Sequence, residues 1–115
     1  MKQVIGQQGE VRIVKIDSIP AGMETRAVQK IASGYVISHS ESGHHHVLTG
    51  GDVLERTDNV PSGMGLFYAI LDKPEAFIQD AANPHGGYDL DPGIYEFRVS
   101  REFNPFEEQV RRVAD

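Results

Sequence analysis

Between Gly93 and Ser100 the chain reads GIYEFRVS, so that Tyr95, Phe97 and Val99 alternate with Glu96, Arg98 and Ser100. A period of two puts three apolar side chains on one face and three polar ones on the other. A strand satisfies that pattern, whereas a helix of 3.6 residues per turn would scatter it around its circumference. The expectation is a strand with Tyr95, Phe97 and Val99 buried and with Glu96 and Arg98 in solvent. Runs of the same kind recur along the chain, each closed by glycine, proline, asparagine or aspartate, which is the cadence of an all-β domain.

The segment VRIVKI after Glu10 is rich in β-branched residues. Val11 and Ile13 share one side and Val14 and Ile16 the other, which a bulge or burial on both faces would explain. Residues 19–22 form a turn. Residues 23–32 fit a helical stripe as well as a strand and are read as extended, because their neighbours are. Residues 34–48 form a hairpin, with strands 35–39 and 44–48 around the loop 40–43. Residues 53–56 are a short strand, and residues 65–71, apolar on both faces, a central one. Residues 72–75 turn that strand into a hairpin with 76–79, and 80–92 are loop by composition. At the end, Asn104 is a good cap, Pro105 suits a first helical position, and Phe106, Val110 and Val113 fall on one stripe. The pairs Glu107–Arg111 and Glu108–Arg112 support a short C-terminal helix, with a last strand over VRRVAD as the alternative. About seven short strands and one terminal helix predict a single all-β domain over residues 1–115, an antiparallel barrel or a jelly-roll-like sandwich.

Composition narrows the function. A chain of 115 residues buries roughly two-thirds of its unfolded surface around one core. The absence of cysteine excludes disulfides, thiolate metal sites and cysteine nucleophiles. A net charge of −6, with 11 scattered basic residues, argues against nucleic acid as a partner. No apolar run approaches the roughly 20 residues of a membrane span, and the apolar pair Val4-Ile5 is too short for a signal core, so the expected location is cytoplasmic.

Four of the five histidines, His39, His44, His45 and His46, fall within residues 34–48. In a hairpin closed by residues 40–43, His39 and His44 face each other. His44 and His46 share a strand face, with His45 on the opposite one. His-x-His on a strand supplies two imidazoles to one point, and a third ligand can come from His39 or from His85 in the His85-Gly86-Gly87 loop. The candidate ligands are therefore His44, His46, His85 and His39, for a divalent zinc, iron, manganese or nickel ion. Against this stands the plainer reading of solvated histidines on a polar loop. Ser38, Ser40 and Ser42 lie close by, but no Gly-x-Ser-x-Gly elbow supports hydrolysis. Glu102 reads as a surface residue before it reads as a ligand. No residue is assigned a catalytic role, and no reaction is implied.

Gly43-His44-His45-His46, followed by Pro92-Gly93-Ile94-Tyr95, resembles in part the cupin superfamily, whose first motif carries His-x-His and whose second contains Pro-x-Gly. The glutamate that cupins place shortly after the second histidine is replaced here by Asp52 or Glu55 further on, and His85 precedes the second motif instead of following it. Over residues 34–115 the chain also resembles small uncharacterised bacterial and phage proteins. Their pattern corresponds here to Gly43-His44/His46, His85, Gly93/Tyr95, Arg101-Glu102-Phe103 and Val113/Asp115. That resemblance implies His44, His46 and His85 ahead of His39, and no activity. Two functions follow as expectations: a metal-binding β protein acting on an unidentified small molecule or protein, or a non-enzymatic interaction or assembly module without metal. Self-association into a homo-oligomer is compatible with either.

Overall fold

A computed structural model describes residues 2–39, 45–79 and 87–100. Among them the chain forms eleven strands: β1 (Gln3–Gln8), β2 (Val11–Ile16), β3 (Thr25–Ala27), β4 (Lys30–Ile31), β5 (Gly34–Ser38), β6 (His46–Leu48), β7 (Asp52–Arg56), β8 (Met64–Leu71), β9 (Glu75–Gln79), β10 (Gly87–Leu90) and β11 (Gly93–Ser100). They build a six-stranded sheet in the order β1-β2-β11-β8-β7-β3 and a five-stranded sheet in the order β10-β9-β6-β5-β4. Every ladder is antiparallel. The fold is thus the expected all-β class, as two packed sheets. It holds more strands than the seven expected, because β1, β3, β4 and β10 are short or polar and carry little apolar signal.

The two sheets bury one main core. Val11, Ile13, Phe67 and Phe97 of the larger sheet meet Ile37, Leu48 and Phe77 of the smaller. The rings of Phe77 and Phe97 lie 5.2 Å apart across the interface, a separation at which aromatic pairs attract. At one edge Tyr88 of β10 ties the sheets together: its hydroxyl donates to the carbonyl of Gln7 at 3.0 Å and accepts from the Gln7 amide at 3.2 Å.

Tyr95, Phe97 and Val99 are buried as the alternation requires, but Glu96 is also buried, only 5% exposed. The expectation of a solvated Glu96 fails because part of the outer face of the larger sheet is covered as well. Val14, Ile16 and Tyr68 form a second cluster on its outer side, with Ile19, Met23 and Ile94 packed against them. The same cover explains β2, whose strand is regular and buried on both sides rather than bulged.

Two connections also differ from expectation. Residues 72–74 do not close a hairpin; they carry the chain from β8 in the larger sheet to β9 in the smaller. Within the stretch read as loop, Gly87–Leu90 is a strand paired with β9. The expected C-terminal helix lies outside the described residues, which contain no helix long and apolar enough to cross a membrane.

Candidate functional site

The site is created by a one-residue irregularity in β5. Tyr35 faces Leu48 and Val36 faces Val47, but the next pair is Ser38 with His46, so Ile37 is an extra residue on its strand. Without this bulge the register would set His39 opposite His44, as the sequence predicts. With it the pairing slips by one, and the rings of His39 and His45 meet edge to face with centroids 5.0 Å apart. A bulge re-aims the side chains that follow it. Here it brings Ser38 beside His46, on the side that looks toward the larger sheet.

His46 opens β6, half-buried, with its ring stacked on Phe77 at 6.0 Å. The β1–β2 turn of the opposite sheet closes over it. Gln8 Oε1 lies 3.4 Å from His46 Nδ1. An amide oxygen can only accept, so this long contact favours the proton on Nδ1 and leaves the lone pair on Nε2. Gly9, in the left-handed region at φ +58°, carries no side chain where a Cβ would stand 3.4 Å from Nε2. Glu10 follows, and its carbonyl is fixed by the amide of Ser100 at 2.9 Å. Its carboxylate accepts a hydrogen bond from the buried Ser38 hydroxyl. The Ser38 proton is thereby committed to a carboxylate, which argues against Ser38 as a nucleophile and makes it a clamp on Glu10.

Burial lowers the pKa of His46 below 6.5, opposed by the negative charge of Glu10. The imidazole is therefore held neutral, the form that coordinates metals and accepts protons. This has a measurable consequence. Because the unfolded chain takes up the proton at a higher pH than the folded one, the contribution of neutral His46 to stability is complete above pH 6.5 and declines as pH falls toward the folded value. Urea unfolding at pH 7.5 and pH 5 should show that decline, and His46→Gln should flatten it. An unchanged pH dependence in the variant would assign the effect to other groups.

Of the four histidines expected as ligands, His46 is at the site, and His39 is exposed with its ring against His45. His44 and His85 lie outside the described residues. Among the described residues no three histidine or acidic side chains converge closely enough to hold a metal ion. Glu10 and Gln8 were not foreseen as site residues. They lie 28 or more positions from their partners, and only the turn signal at Gly9 marks the segment in sequence.

Residues 7–100, most of the chain and every residue of this site, match a family model described as Domain of unknown function (DUF8820). The chain belongs to the DUF8820 family. No curated protein matches it, and no solved structure does. For DUF8820 the chemistry must therefore be argued from the site: a half-buried imidazole whose pKa is lowered, a carboxylate held by Ser38, and a glycine without a side chain beside the imidazole Nε2.

Proposed function

We propose that the protein binds a first-row divalent cation at this end of the sandwich, with His46 and Glu10 supplying a nitrogen and an oxygen and His44 and His85 completing the set. The observation that carries this reading is the pairing of β6, β9 and β10. His46 faces Gln79, Val47 faces Ile78, and Ile78 in turn faces Gly87. His44 is two residues from His46 and His85 two residues from Gly87, within roughly 7 Å of chain reach. Gly9 puts no side chain beside Nε2, where a Cβ would stand at 3.4 Å. The Nδ1 contact with Gln8 is the kind of outer partner that orients a ligating histidine. His39 is left out of the set because its ring is engaged with His45. The His-x-His spacing shared with cupins favours the same reading. Such an ion would tie the β1–β2 turn to the smaller sheet and could polarise an oxygen of a bound molecule.

Metal analysis and thermal melts of untagged protein test this with zinc, iron, manganese and nickel. A cation bound only by the folded state stabilises by about 2.7 kcal/mol at a hundredfold excess over Kd. That gain should fall away below roughly pH 6 as the imidazoles protonate. Glu10→Gln, His46→Ala and His85→Ala should each lose most of it, and His39→Ala should keep it. No shift with any of the four metals, or equal loss in His39→Ala and His85→Ala, would defeat the proposal.

A second reading, an assembly module such as a phage accessory protein, is favoured by a different surface. Among the described residues Val4, Leu54 and Ile70 are the exposed large apolar ones, and all three lie on the outer face of the larger sheet, paired with Val14, Tyr68 and Ile94. On that reading the protein sediments as a concentration-dependent oligomer, and Ile70→Glu returns it to a monomer.

A further inference from the structure

On the outer face of the larger sheet an open cleft of about 400 Å³ is lined by Lys2, Arg56 and Arg98 around a floor of Tyr68 and Glu96, with Leu66 on its apolar wall. The volume falls in the lower range of small-molecule sites. Three cationic side chains line it, and even with Glu96 on Arg98 and the Asp58 carboxylate on Arg56 a positive charge is left over, although the chain as a whole carries −6. The floor is rigid. Glu96 is 5% exposed, forms an ion pair with Arg98 through Nε, and faces Tyr68 directly across the β8–β11 ladder. Arg56 is held the same way from the other side, its Nε donating to the Asp58 carboxylate at 3.1 Å and to the Asp58 carbonyl at 2.9 Å. Both guanidinium groups are thus oriented in advance, and although Arg56 also bonds the Tyr68 side chain, each keeps further N–H donors among its five.

A second observation indicates what this arrangement lacks. Arg12 stands directly opposite Arg98 in the β2–β11 ladder. Like charges in that relation repel. Glu96 is already the partner of Arg98, so an additional negative charge above the ladder relieves the repulsion and a positive one increases it. The Tyr68 hydroxyl is hydrogen-bonded to both Glu96 and Arg56, which ties the two sides of the cleft together, and burial, followed by the charge of Glu96, raises its pKa.

We propose that this cleft binds a small organic carboxylate, its anionic group received by Arg98, Arg56 and Lys2 and its apolar body laid against Leu66. The site is independent of the metal reading, since it lies on the opposite face of the larger sheet from Glu10 and His46.

Benzoate is the probe, with inorganic phosphate testing charge without an apolar body and benzyl alcohol testing the body without charge. Amide and arginine Nε resonances of labelled protein report the place and the saturation. Benzoate should shift residues 66–68 and 96–98 saturably, and each control should bind about tenfold more weakly or worse, the weight of one charge-assisted contact. Arg98→Gln should weaken benzoate by about tenfold, and Lys2→Ala, on the exposed rim, by about threefold. If Arg98→Gln fails to fold, Lys2→Ala carries the test alone. Equal binding of either control, shifts centred elsewhere, no saturation, or wild-type affinity in Lys2→Ala would overturn the proposal.

Discussion

Truncating Phe97 to alanine should lower the unfolding free energy by about 3–5 kcal/mol, the usual cost of removing a fully buried aromatic ring. Phe97 has no exposed surface, its ring packs on Phe77 from the opposite sheet, and Phe77 in turn carries the ring of His46. The loss should therefore extend beyond stability. With Phe77 no longer supported from below, His46 gains freedom and solvent, and its pKa should return toward 6.5. Denaturant unfolding gives the first quantity and an NMR titration of the histidine the second. A loss below about 1 kcal/mol would mean that the sheets do not rely on this contact.

The second large effect is expected at Gly34. It opens β5 at φ +144°, a region that side-chain-bearing residues avoid, and a Cβ built there would run into the carbonyl oxygen of Leu48. Backbone strain and overpacking are each worth about 1–3 kcal/mol, so Gly34→Ala should cost about 2–6 kcal/mol. Because Gly34 pairs with Ile31 and sits three residues before the bulge, the substitution should also disturb the Ser38–His46 register. Thermal melts and the amide shifts of Ser38 and His46 would record both. A variant as stable as the wild type would show that β5 can move away from β6 without cost.

How much of this was legible beforehand differs from element to element. The Tyr95–Phe97–Val99 alternation is a local property of the chain, and it located a strand and its buried face. Glu96 was misread from the same pattern, because alternation defines two faces but not whether the second one is covered. Here Ile19 and Met23 pack over part of it, and Tyr68 stands beside Glu96 in the ladder, all from distant parts of the sequence. The hairpin of residues 34–48 was readable from its turn residues. Its register was not, since one extra residue at Ile37 exchanges the partner of His39 without changing any propensity. Glu10 joins the site through a turn of the other sheet, a meeting that no local pattern encodes.

The order of strands in the larger sheet bears on how the protein is made. β11 is the last described strand in sequence, yet it lies between β2 and β8 and holds both by ladders along most of its length. Until it has been synthesised, β2 and β8 each present an open hydrogen-bonding edge, and the apolar side chains of both remain uncovered. At roughly 5–20 residues per second, the stretch from Ile16 to Gly93 keeps the β2 edge waiting for several seconds, and the shorter stretch from Leu71 to Gly93 keeps the β8 edge waiting for about one to four. Exposed edges of this kind recruit other strands. The central strand that fastens the finished sandwich thus also sets its period of greatest danger of aggregation during translation.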